Sequence, residues 1–216
     1  MTNLTFNKYQ RKARETAVYP EEHAESYTVL GLLGEAGEIA QLAKRRLRDG
    51  LVLDRERLAS EVGDCLWYFA MYLFERGCPM PENNYYMSSD FTDADFPRDV
   101  ETLFFWIAEM LKSAEGLEEE CAQEGVLAAL NTLARHTPHT LEAIAQANLD
   151  KLADRAARGV LRGEGDEVRR HTEQAIEIVK NLADLVFDGD EQNAHESDCM
   201  WLRARQLVQE LDDDAD

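Results

Sequence analysis

Apolar residues recur along most of the chain at the spacing of three and four positions that is typical of an amphipathic helix. The clearest case follows Asp54, a residue type that often caps the start of a helix. Five apolar side chains share one face of that helix: Leu58, Val62, Leu66, Phe69 and Leu73. No segment alternates apolar and polar residues as a half-buried strand does, and no repeat of fixed period is present. The pattern predicts an all-α fold.

Turn-forming residues divide this pattern into separate helices. Asp54 and Thr140 are predicted N-caps, and Pro79, Pro81 and Pro97 indicate an irregular connection over residues 79–97. The spacing predicts helices over residues 4–18, 21–47, 55–76, 99–122, 126–135, 141–158, 167–186 and 194–211. A glycine-rich loop is expected over residues 159–166, and an acidic tail ends the chain.

The charge of the chain restricts its partners. Among 216 residues, 43 are acidic and 23 are basic, which gives a formal net charge of −20. A protein this acidic is not expected to bind a nucleic-acid backbone, which requires a basic surface. It has no apolar run long enough to span a membrane and no signal-peptide core. The four cysteines form no CxxC motif, so we expect reduced thiols and a cytoplasmic protein.

Two acidic pairs stand on neighbouring helices that are otherwise apolar. Glu35 and Glu38 are three residues apart and therefore share a helical face, and Glu61 and Asp64 repeat the spacing. A buried carboxylate must be paired, hydrogen-bonded or bound to a metal, and no Lys or Arg lies within four residues of Glu35 or Glu38. The pairs predict an Mg²⁺ site, which Mn²⁺ could also fill, between two antiparallel helices. Gly37 and Gly63, which precede the second acid of each pair, are expected to allow close helix approach.

A basic strip follows later in the chain. Asn148, Lys151, Arg155 and Arg158 are spaced so that they lie along one stripe of a helix. Arg can bond two phosphate oxygens at once, and Lys supplies a point charge. The strip therefore predicts a phosphate-binding surface, although ion pairing with the excess of acidic residues would also account for it. The glycine-rich loop after the strip, with Arg162 and Arg169 beside it, either approaches a phosphate or only ends the helix.

Together these motifs resemble the MazG-like all-α nucleoside triphosphate pyrophosphohydrolases, in particular phage-type members. The motifs that carry the resemblance are LGEAGEI at 33–39 followed by Lys44, EVGDCLWY at 61–68, NLDKLADR at 148–155, and FNKYQ at 6–10 with Thr16 and Ala17. The resemblance implies that Glu35, Glu38, Glu61 and Asp64 bind Mg²⁺ and that Lys44 joins the strip in binding the triphosphate. It also implies hydrolysis of a nucleoside triphosphate to a monophosphate and pyrophosphate, and a homo-oligomer, a dimer or tetramer.

The chain departs from that family by its added segments. We expect a catalytic core of residues 1–78 plus 140–166, a helical insertion of residues 79–139, and a C-terminal helical extension of residues 167–216. In compact family members the two motif-bearing segments are joined by a short loop. The added helices could cover or rebuild an oligomer interface within one chain.

Several alternatives remain open at the level of the sequence. The chain could be a phosphoribosyl-ATP pyrophosphohydrolase, or a non-catalytic helical regulator that binds a magnesium–nucleotide complex such as (p)ppGpp. The phage-like opening helix suggests a deoxynucleotide such as dGTP as substrate. Tyr27, Trp67 and Tyr68 could stack a base or belong to the core, and Asn7 and Gln10 could read a base edge. His136 and His139 lack cysteine partners, which disfavours a zinc site.

Overall fold

Every regular element in the described part of the chain is helical, which confirms the all-α prediction. The computed structural model describes residues 4–81, 92–112, 117–158 and 161, and these ranges contain no strand. Short 3₁₀ turns at Glu21–His23 and Asp93–Asp95 precede the second and fourth helices. The helices are α1 (Phe6–Arg14), α2 (Ala24–Asp49), α3 (Arg55–Glu75), α4 (Phe96–Lys112), α5 (Leu117–Ala134) and α6 (Leu141–Ala157).

Local capping chemistry sets several helix ends. The side chains of Asp54 and Thr140 accept hydrogen bonds from the backbone N–H groups of Arg57 and Ala143, which confirms both predicted N-caps. α2 ends at Asp49 and is capped by Gly50, whose φ of 64° lies in the left-handed region that favours glycine. The short connection from Gly50 to Asp54 then returns the chain as α3, so α2 and α3 form an antiparallel pair.

α3 lies at the centre of the fold. It packs against α1, α2, α5 and α6, while α4 packs against α2 and α5. The five apolar side chains predicted to share a face of α3, Leu58 to Leu73, are all fully buried. Residues of α4 and α5 contribute to the same hydrophobic core as α2 and α3. The described helices of the predicted insertion are therefore packed onto the predicted catalytic core.

The predicted boundaries of the fourth and fifth helices were wrong. α4 begins at Phe96 rather than Asp99, because a proline such as Pro97 is tolerated in the first turn of a helix. α5 runs through Gly125, where the prediction placed a break. A Cβ atom on Gly125 would lie 2.2 Å from the Trp106 ring, so this glycine allows α4 to pack closely on α5.

The remaining predictions of secondary structure concern the first helix and the C-terminal part of the chain. α1 is shorter than predicted and ends at Arg14 rather than Val18. Most of the predicted glycine-rich loop, the two C-terminal helices and the acidic tail lie outside the described residues. Among the helices that are described, none combines the length and the apolar character needed to cross a bilayer.

Candidate metal and phosphate site

Three of the four predicted acidic residues converge where α2 faces α3. Glu35 comes from α2, and Glu61 and Asp64 come from successive turns of α3. One carboxylate oxygen from each lies within 4.8 Å of the other two. All three side chains are partly buried, so their charges are incompletely solvated. We refer to Glu35, Glu61 and Asp64 as the acidic cluster.

Two carboxyl groups of the acidic cluster have raised pKa values. Burial raises the pKa of Glu35 to about 8, and the neighbouring carboxylates of Asp64 and Glu61 add to the rise. Burial also raises the pKa of Glu61, although its hydrogen bond with Arg57 opposes the change. A cation bound among these oxygens would favour the ionised form of both residues.

Glu38 lies beside the acidic cluster but is engaged differently. Its carboxylate accepts a hydrogen bond from Arg57 Nη2 at 2.9 Å, and Arg57 Nε donates to Glu61 at 3.2 Å. Arg57 therefore links the two acidic pairs across α2 and α3. Sequence reasoning missed this residue, although its position four residues before Glu61 is the spacing at which charged side chains pair on a helix.

α6 supplies the second cation of the site. Lys151 Nζ lies 2.5 and 2.6 Å from the two carboxylate oxygens of Asp64. Asn148 Nδ2 donates to the same carboxylate at 2.9 Å, and the Tyr9 hydroxyl donates to Asn148 Oδ1 at 2.9 Å. Asn148 is 4% exposed and Tyr9 is fully buried. These contacts make Asn148 a residue that positions Asp64, with Tyr9 fixing the orientation of its amide.

The other predicted phosphate ligands lie farther out on the surface. Arg155 and Arg158 are exposed at the C-terminal end of α6, and Arg158 pairs with Asp154 at 2.6 Å. Lys44 is exposed on α2, six positions beyond Glu38. The structure thus brings Asn148 and Lys151 to the acidic cluster and leaves Lys44, Arg155 and Arg158 at solvent-accessible positions.

Gly63 permits the approach of α6 rather than that of α2. A Cβ atom at this position would lie 3.3 Å from Asn148 Cβ and 3.3 Å from Ile144 Cγ2. The sequence predicts close helix approach at this glycine, and the helix that comes close is α6. Its observed effect is to let α6 pack against α3, so that Asn148 and Lys151 reach Asp64.

The donor set of the acidic cluster suits a hard divalent cation. All three candidate ligands are carboxylates, and Mg²⁺ prefers oxygen ligands. Burial, and then repulsion from Asp64 and Glu61, raises the pKa of Glu35, and a bound cation would oppose both effects. The residues present therefore suit a cation such as Mg²⁺, and Glu35, Glu61 and Asp64 are the residues that could hold it, with Glu38 adjacent.

An aromatic group lies about one helical turn from the acidic cluster. Tyr68 follows Asp64 by four residues, and its ring occupies the space that a Cβ atom on Gly31 would fill. Tyr27 packs against Tyr68 with ring centroids 6.0 Å apart and remains 43% exposed, whereas Trp67 is buried. Only Tyr27, of the three aromatic residues singled out in the sequence, offers a substantially exposed ring.

Three polar residues that sequence analysis considered for binding, Gln10, His136 and His139, have structural partners. The buried Gln10 amide donates to the backbone carbonyls of Ala70 and Cys78, which ties α1 to α3. His136 is fully buried and lies 2.9 Å from Asp99, while His139 lies 3.1 Å from Glu56. Each histidine thus has its own carboxylate partner.

Comparison with known proteins gives one phage relative. The chain is 43% identical over 72 residues to the "Gene 37 protein" of Mycobacterium phage L5. The match covers 29% of this chain and 63% of the relative, so the chain spans less than two thirds of that protein's length. No protein-family model and no solved structure matches the chain.

Proposed function

We propose that the protein is an Mg²⁺-dependent nucleoside triphosphate pyrophosphohydrolase, which converts a nucleoside triphosphate and water to the monophosphate and pyrophosphate. The observation that carries the proposal is the convergence of Glu35, Glu61 and Asp64 beside Lys151. Such a site pairs a cluster of metal ligands with a cation able to contact phosphate. A purine deoxynucleotide such as dGTP is the first substrate to test.

In this proposal the bound metal, Lys151 and Arg155 each contact the triphosphate. Bound Mg²⁺ would neutralise phosphate charge and lower the pKa of a coordinated water molecule. The ammonium of Lys151 has three donors, so it can keep its bond to Asp64 while it donates to a phosphate oxygen. Arg155, exposed one turn further along α6, can bond the same triphosphate at two points.

The acidic cluster also supplies a proton acceptor. With a cation bound these carboxylates would be ionised, so one of the four acids could accept the proton of the attacking water molecule. Arg57 holds Glu38 and Glu61 in fixed positions on either side of the gap between α2 and α3. Asn148 of α6 donates to Asp64, and Tyr9 of α1 donates to Asn148 and so fixes its amide.

The test is a screen of deoxynucleoside and nucleoside triphosphates with Mg²⁺, in which monophosphate and pyrophosphate are both quantified. We expect at least one substrate to be hydrolysed, and Asp64→Asn to lose most of the activity while it keeps its helical signal and melting temperature. Asp150→Asn is the matched control, because Asp150 is an exposed aspartate on α6 that bonds Gln146. Nucleotide binding without turnover would indicate a regulator, and full activity of Asp64→Asn would refute the proposed site.

A further inference from the structure

A groove of about 220 Å³ runs between α3 and α6 beside the acidic cluster. Its walls are formed largely by small side chains, with Ala59 and Gly63 on α3 and Ala143 and Ala147 on α6. Ala143 and Ala147 are exposed, so the groove opens to solvent. Since no large side chain fills it, a flat or narrow group could lie along α6 within it.

The groove is continuous with the proposed phosphate site. Lys151 and Asn148 line one end of the groove, and both also contact the carboxylate of Asp64. A ligand whose phosphate is held by Lys151 would therefore meet the mouth of the groove. The two sites share residues, so a single extended ligand can occupy both.

The charged groups near α6 differ on the two sides of Lys151. Towards the C-terminus the exposed cations Arg155 and Arg158 continue the strip. Towards the N-terminus the groove ends at Glu56 and His139, which lie 3.1 Å apart. The carboxylate of Glu56 would repel a phosphate, whereas it can accept hydrogen bonds from the N–H or O–H groups of an uncharged ligand.

From this arrangement we propose that the groove between α3 and α6 binds the nucleoside portion of the substrate. The inference rests on the proposed function and adds the orientation of the bound substrate. The triphosphate extends from Lys151 towards Arg155, and the sugar and base extend the opposite way, along Ala147 and Ala143. Ser60, Glu56 and His139 line the groove and offer polar atoms to the sugar hydroxyls and the base edge.

The test fills the groove and keeps every charged residue of the phosphate site. Ala147→Leu adds bulk at an exposed helical position, so the fold should tolerate it, and Leu is a good helix former. Ala153→Leu, at an exposed alanine of the same helix outside the groove, is the matched control. We expect Ala147→Leu to raise KM for the preferred nucleotide by about tenfold or more, because excluding a group from a shaped pocket has an effect of this order.

A second measurement separates the nucleoside from the phosphates. Inorganic tripolyphosphate has no nucleoside, so its inhibition constant should be the same for wild type, Ala147→Leu and Ala153→Leu. An unchanged KM in Ala147→Leu would overturn the inference, and so would a parallel loss of tripolyphosphate inhibition, which would indicate a damaged phosphate site. In either case wild-type turnover would leave the proposed function standing. If the wild-type protein neither binds nor hydrolyses any nucleotide with Mg²⁺, the proposed function and this inference fail together.

Discussion

Replacing Glu35 by Gln tests the electrostatics of the acidic cluster in the absence of metal. In the folded protein burial and the charges of Asp64 and Glu61 raise the pKa of Glu35 from its ordinary 4.5 to about 8. Between these two values the folded protein holds a proton on Glu35 that the unfolded chain has released. Folding therefore takes up a proton in this range, and proton uptake becomes less favourable as the pH rises. The stability contribution that is present below pH 4.5 is lost as the pH approaches 8.

The size of the effect follows from the two pKa values. Each pH unit between 4.5 and about 8 changes the free energy of unfolding by about 1.4 kcal/mol, so the whole interval corresponds to about 5 kcal/mol. Gln carries no ionisable group and removes this term. The stability of Glu35→Gln relative to wild type should therefore increase steadily between pH 5 and 8.

The assay is urea unfolding of both proteins in EDTA at several pH values, monitored by circular dichroism. Glu101→Gln is the matched control, because Glu101 is an exposed glutamate on α4, outside the acidic cluster. Mg²⁺ should stabilise wild type more at pH 8 than at pH 5, since the ion and the proton compete for the same carboxylate. Parallel stability curves for wild type and Glu35→Gln would refute the reasoning.

Three other substitutions test separate contacts. Tyr9→Phe leaves the buried Oδ1 of Asn148 without its donor and should lower the free energy of unfolding by about 1 to 3 kcal/mol. Thermal melting would detect this as a drop of several degrees, and an unchanged melting temperature would contradict the assigned hydrogen bond. Gly125→Ala should destabilise by about 1 to 3 kcal/mol through overlap with the Trp106 ring, with recovery when Trp106→Leu is added, measured by urea unfolding. Arg57→Gln should reduce stability without metal by less than about 1 kcal/mol, because its ion pairs are partly exposed, and a loss of several kcal/mol would show a larger structural role.

The local features of this protein could be deduced from its sequence. Helix periodicity identified the apolar face of α3, and the capping residues Asp54 and Thr140 identified the starts of α3 and α6. The spacing of the acidic pairs placed each pair on one helical face. These properties depend on residues within about one helical turn of each other, so they can be read without knowledge of the fold.

The partners of the acidic residues were decided only by the tertiary structure. Arg57 reaches Glu38 across 19 positions of the chain, Lys151 reaches Asp64 across 87, and Tyr9 reaches Asn148 across 139. The sequence shows no cation within four residues of Glu35 or Glu38, because it shows only neighbours along the chain. The packing of α1, α2 and α6 around α3 brought cations and hydrogen-bond donors to these carboxylates.

The sequence also does not show which group packs against a glycine. The predicted gap over residues 123–125 contains Gly125, yet Trp106 of α4 packs against this glycine within a continuous α5. Gly63 predicts close helix approach, and the helix that it admits is α6. A glycine in the sequence shows that a side chain is missing, and only the folded structure shows which neighbouring group uses the space.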